Sequence, residues 1–245
     1  MTLIAMRAEL RKIFWRGKYR ALLAIDAALC ALIGFLGVAG ARIGSSVTLL
    51  LSDTAFNALS FFCTLMFPLT IFMLATDLYT QEFESKSIKS ILVRPVNRLS
   101  AYFAKSLAIL AYIAVSMGAM YLISAAFQLY SGRNTESLLA ALASYALSVL
   151  PMAAFVATAA FIAVLIPSPT LAMFLSVAAY AACAAAGVAW GEVGAVLYTS
   201  YIGWYKMWIG QGVPARSIAT ALMLLLSHIA IFSTLGYLLF DRKDV

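Results

Sequence analysis

The chain has 245 residues, 64% hydrophobic and only 11% charged, with net charge +7 and mean hydropathy +0.96. Soluble domains are typically about 45–50% apolar and about 25% charged, so a soluble globular domain is excluded and the chain reads as an integral membrane protein. The positive balance does not indicate nucleic acid, because lysines and arginines gather at the flanks of apolar runs and not on one phosphate-reading face.

Residues 1–20 carry Arg7, Arg11, Lys12, Arg16, Lys18 and Arg20 against the single Glu9, while Leu3, Met6, Leu10 and Ile13 recur at helical spacing. This pattern predicts a basic amphipathic helix lying on the anionic cytoplasmic leaflet. Ala39-Gly40-Ala41 resembles a signal-peptidase triplet, but a run of about 20 apolar residues behind a long amphipathic start favours an uncleaved anchor. Six stretches are long enough to span: Ala21–Gly40, Ala55–Leu78, Ser106–Phe127, Leu138–Ile166, Thr170–Ala189 and Ile218–Phe240. Pro151 predicts a kink or tilt in the fourth, and Pro167 and Pro169 forbid a continuous helix from the fourth into the fifth.

Between the second and third spans lies the only long polar island, within residues 79–100. Its sequence from Gln81 to Arg98 holds Glu82, Glu84, Lys86, Lys89, Arg94 and Arg98, with Lys105 beyond. Ile88, Ile91 and Leu92 fall at i, i+3 and i+4, so a short helix there has one apolar and one charged edge, ended by Pro95. Such a helix suits contact with a partner. With the N-terminus inside, all but Arg42, Arg133, Lys206 and Arg216 of the 17 lysines and arginines face the cytoplasm, which orients both termini there. Segment 190–214 is then outside. It is crowded with Trp190, Tyr198, Tyr201, Trp204, Tyr205 and Trp208 among glycines, which predicts short helices dipping into the outer interface.

Several chemistries have no support. No G-x-x-x-x-G-K-[ST] phosphate loop occurs, so ATP hydrolysis by that route is not expected of this chain. His228 is the lone histidine, and Cys30, Cys63 and Cys183 lack metal-ligand or redox spacing, so no bound metal is expected. Asp26 and His228 lie within spans, where ionisable groups are costly and often mark a pathway. Asp26 is also close enough to the interfacial cations, and His228 able enough to stay neutral, for purely structural roles. Small residues dominate the fifth span, including Ala178, Ala182 and Ala185, and the first holds Gly34, Gly37 and Gly40. Both read as helix–helix surfaces, either within the chain or across a dimer.

With its surroundings the island resembles the permease subunits of the ABC-2 superfamily of ATP-binding-cassette exporters. The resemblance rests on Glu82 and Glu84, Lys86-Ser87, Ile91-Leu92, Pro95-Val96-Asn97-Arg98 and Lys105, with Lys86, Ser87 and Asn97 standing where glycine, threonine and serine are usual. It extends over the whole chain through the amphipathic start, the six spans, the aromatic outer segment and the closing Leu239-Phe240-Asp241-Arg242-Lys243-Asp244. The resemblance implies an all-α plasma- or inner-membrane protein that pairs with a second permease, as homo- or heterodimer. It implies separate ATPase subunits that hold the ATP and magnesium, while this chain binds no cofactor. Glu82, Glu84, Ser87, Ile88, Ile91, Leu92, Arg94, Pro95 and Arg98 would form the coupling helix and its surround, and the first and fifth spans would meet across the dimer. A hydrophobic or amphipathic cargo, such as a peptide antibiotic, fits the apolar spans. An ion- or proton-coupled secondary transporter built on Asp26 and His228 is the competing reading.

Overall fold

A computed structural model describes residues 2–43, 53–84, 97–132, 135–209 and 214–243, and the described residues hold helices and turns but no strand. An amphipathic α1 (Thr2–Trp15) bends at Arg16 into α2 (Gly17–Ile43). The second span, α3 (Thr54–Phe83), continues helically to Glu84. There follow α4 (Arg98–Ser131), α5 (Thr135–Leu165) and α6 (Pro169–Ala189), then two one-turn helices, α7 (Gly191–Gly194) and α8 (Lys206–Ile209), and finally α9 (Ala215–Arg242). Six of these, α2 to α6 and α9, are long and apolar enough to cross a membrane. The molecule is an all-α membrane protein.

Local chemistry sets the helix ends. Asn97 opens α4 by accepting the Leu99 amide on its side-chain oxygen at 3.3 Å, the usual way of satisfying a free first-turn donor. Gly132 closes it with φ 67°, the left-handed geometry that glycine reaches without strain. Asn97 and Arg98 thus belong to the third span's own helix, and Lys105 lies two turns inside it. At the start of α3, the fully buried Gln128 accepts from the Ala55 amide at 3.4 Å.

The centre of the bundle is α3 with α5, whose side chains are the most buried, while α6 and α9 keep most of their surface outward. The α4 helix packs on α1, α2 and α3, and α9 lies along α5. Of the small residues on α2, Gly34 serves packing within the chain, since a Cβ there would stand 2.5 Å from two carbons of the Phe127 ring on α4. Gly34→Ala should therefore destabilise the chain by about 1 kcal/mol, the lower end of overpacking costs. Thermal unfolding in detergent would show this, and an unchanged midpoint would refute the close approach.

Two prolines mark where the helices open to neighbours. Proline cannot donate to the carbonyl four residues before it. Pro151 leaves the Leu147 carbonyl free just before the turn at Ser148, and the Trp204 indole donates to that oxygen at 2.9 Å. Pro68 likewise leaves the Thr64 carbonyl free, and the Tyr180 hydroxyl donates to it at 2.5 Å. The expected Pro151 distortion is thus also an anchor for the aromatic segment. That segment also packs on the bundle: Tyr198 lies edge-on to Phe155 and stacks on His228, with ring centroids 4.9 and 4.3 Å away.

Candidate functional site

At one end of the bundle α1, the end of α3, the start of α4 and the end of α9 converge, and there the charges meet. On α1, Glu9 shares a face with Met6 and Ile13, three residues before and four after, and this face packs on α4. Glu9 is thereby carried into the interior and is 8% exposed. Lys105, two turns into α4, is 1% exposed and reaches Glu82 at 2.5 Å and Glu9 at 3.5 Å. Lys12, one turn after Glu9 and partly in solvent, reaches Glu9 at 3.1 Å and Glu82 at 3.3 Å. Two lysines and two glutamates from α1, α3 and α4 thus close a ring in which each carboxylate meets both ammonium groups. Burial alone would lower the pKa of Lys12, but Glu82 and Glu9 outweigh it and hold its ammonium above the ordinary lysine range. The Glu9 Oε2 atom has no aligned hydrogen bond, so charge alone holds it.

A second knot sits one turn further inside. Asp77 on α3 accepts from the Tyr19 hydroxyl at 2.5 Å and from Arg16 Nη1 at 3.1 Å, and also pairs with Lys18. Tyr112 on α4 donates to the Tyr19 carbonyl at 2.9 Å. The α1–α2 bend is therefore tied to α3 and α4 together. Asp77 lies within a π turn, Thr76–Thr80, a wide turn that often marks functional positions in helices. The C-terminus closes the same end. Arg98 donates to the Asp241 carbonyl at 2.6 Å, Lys243 donates to the Val164 carbonyl at 2.5 Å, and Lys243 Nζ stands 4.6 Å over the Phe83 ring. Burial lowers the Lys243 pKa.

Of the residues assigned to the coupling segment, Glu82 and Arg98 stand on this rim, one on each side of residues 85–96. Ser87, Ile88, Ile91, Leu92, Arg94 and Pro95 lie outside the described residues, as does the Glu84 side chain. Lys12, which pairs with Glu82, and Glu9, which shares its lysines, were not foreseen as partners of that segment, nor were Arg16, Lys18 and Tyr19 foreseen as partners of Asp77 just before it. Only Glu9 carried a readable signal, a lone carboxylate on the apolar face of a basic helix.

Asp26 and His228 attach to different helix pairs. Asp26, 1% exposed, lies where α2 packs on α4, and its Oδ1 makes no hydrogen bond. His228 on α9 shares a 2.9 Å hydrogen bond with Thr158 of α5 and stacks between Tyr198 and Phe232. On α6, Ala182 and Ala185 are exposed and Ala178 is half-buried. No group of histidine, cysteine and carboxylate residues among the described ones is arranged to hold a metal ion.

Six apolar helices with a charged, interlocked rim at one end define a multi-pass membrane protein. The ABC-2 family transporter protein model matches residues 6–183, and the chain belongs to that family. It is a permease component of an ABC-type transporter. A search of curated proteins finds no match.

Proposed function

We propose that this chain is the permease subunit of an ATP-binding-cassette exporter, driven through residues 85–96 by a separate ATPase that holds the ATP and magnesium. The single observation that best supports this reading is the placement of the ion-pair ring. Glu82 leads into the segment and Lys105 follows it, and the two are joined 2.5 Å apart at the base of α3 and α4. A push on the segment would then be delivered to both helices and, through Glu9 and Lys12, to α1. In this reading the ring end is cytoplasmic, as are both termini, and the aromatic end faces outward. A second permease copy completes the pathway, and the exposed Ala182 and Ala185 on α6 are available for close helix contact with it. Together the chain forms one transmembrane domain, and its cargo is a hydrophobic or amphipathic compound such as a peptide antibiotic.

The test is the Ile88→Asp/Ile91→Asp double variant, reconstituted with the partner ATPase. Two uncompensated carboxylates in an apolar contact should cost more than the ~1.4 kcal/mol that a factor of ten represents, so transport should fall at least about tenfold. Membrane insertion should be unchanged. Normal transport, or transport that continues without ATP, would overturn the proposal.

A further inference from the structure

At the aromatic end, a cavity of about 310 Å³ opens between α3, α6 and the 199–206 segment. Its polar wall is made of Ser60, Thr64, Tyr180, Thr199, Ser200 and Lys206, an unusual density of hydroxyl groups for a chain this apolar. Ala184, Val188 and Ile202 form the apolar side. A second cavity of about 350 Å³ shares Ser60, Tyr205 and Lys206, so Lys206 stands where the two adjoin.

Three features indicate a ligand in preference to a packing gap. Thr199 is only 7% exposed and its Oγ1 has no hydrogen-bond partner, whereas buried hydroxyls are nearly always satisfied. Among the described residues no carboxylate pairs with Lys206 and none lines either cavity, so an anion entering from solvent meets one exposed cation and no opposing charge. The third feature is structural: Thr64 lies in the π turn Phe62–Met66, where Pro68 frees its carbonyl and Tyr180 secures it. The wall is therefore fixed by a tertiary hydrogen bond before anything binds.

The geometry points to a binding site for the anionic head of an amphiphile, a phosphodiester or carboxylate whose charge meets Lys206 and whose oxygens take the Thr199 and Ser200 hydroxyls. The apolar chain would leave along Ala184 and Val188, the latter 90% exposed. The volume suits this division, since whole-ligand pockets run from about 300 to 1,000 Å³ and a head with its first carbons needs only the lower end. A zwitterionic head carries its own cation close to the phosphate and would bring it against Lys206. A cationic ligand would find no counter-charge.

Two sources share this chemistry: an anionic bilayer lipid, and a free amphiphilic anion of the cargo class. Native mass spectrometry of the purified full-length chain, titrated with dioleoylphosphatidylglycerol, dioleoylphosphatidylcholine and oleate, separates them. At least one anion should bind about tenfold or more tightly than phosphatidylcholine, because hydrogen bonds to charged groups are the strong ones. Lys206→Gln should erase that preference and Lys206→Arg restore it. Thr199→Val should weaken anion binding by about threefold or more without loss of fold, since its hydroxyl makes no internal bond. If phosphatidylglycerol binds and resists oleate, the site holds a resident lipid; if oleate binds or displaces it, the site admits free amphiphiles. Equal binding of phosphatidylcholine, or anion binding unchanged in Lys206→Gln, overturns the site. Since no ATPase takes part, this result is independent of the permease proposal.

Discussion

Replacing Lys105 by methionine is expected to destabilise the folded chain by about 3–5 kcal/mol, the cost of removing one partner from a buried ion pair. The side chain is 1% exposed, and it is the interior cation for Glu82 and Glu9, themselves 6% and 8% exposed. Lys12 still reaches both carboxylates, but its side chain is 44% exposed and screened by solvent, so it cannot replace a charge that sits among them. Adding Glu82→Gln to Lys105→Met should recover much of the loss, since one stranded charge disappears with its partner. The measurement is a double-mutant cycle from thermal or denaturant unfolding of the full-length chain in detergent. Strictly additive losses would show that Lys105 and Glu82 do not act as a unit. A loss under about 1 kcal/mol for Lys105→Met would place the cluster in solvent, where ion pairs are worth that little.

This site shows where the sequence was readable and where it was not. Six apolar runs, each about a bilayer long, dictate a six-helix membrane bundle, because each run must satisfy its own backbone in lipid. Glu9 was readable in principle, since its spacing from Met6 and Ile13 puts it on the buried face. What the sequence could not show is which distant group takes up each carbonyl freed by a proline. Pro68 and Pro151 announce free acceptors at Thr64 and Leu147, but the choice of Tyr180 and Trp204 as donors is a tertiary outcome. The aromatic segment was legible as membrane-associated, but not its packing on Phe155 and His228, because its glycine-rich stretch has no helical period to say that Tyr198 turns inward. Gly34 was legible as a close-contact residue, while its partner within the chain, Phe127, was not.

The α3 helix links the two ends. It carries one π turn at the hydroxyl-lined cavity, Phe62–Met66, and one at the charged rim, Thr76–Thr80. Each presents a group to another element: the Thr64 carbonyl to Tyr180, and the Asp77 carboxylate to Tyr19, Arg16 and Lys18. A displacement of α1 therefore meets α3 directly, through Lys12 on Glu82 and Arg16, Lys18 and Tyr19 on Asp77.

Asp77→Ala should release that connection and cost about 2–3 kcal/mol, most of it from the Tyr19 bond. The Tyr19 hydroxyl, on a residue 1% exposed, donates to the carboxylate at 2.5 Å, and charge-assisted hydrogen bonds out of water are roughly twice as strong as neutral ones. The Met73 carbonyl, 3.5 Å from the same hydroxyl, is too distant to compensate fully. Arg16 and Lys18 contribute less, because their side chains are 35% and 40% exposed and salt screens them. Tyr19→Phe should accordingly reproduce about half or more of the Asp77→Ala effect, and raising salt to about 1 M should leave most of it in place. Hydrogen exchange gives the sharper readout. Asp77→Ala should speed amide exchange in residues 2–20 while the aromatic end, held by Trp204 on the Leu147 carbonyl, stays unchanged. Faster exchange spread evenly over the bundle would mean that Asp77 supports only global stability, and unchanged exchange in α1 would show that α1 is held by its apolar face alone.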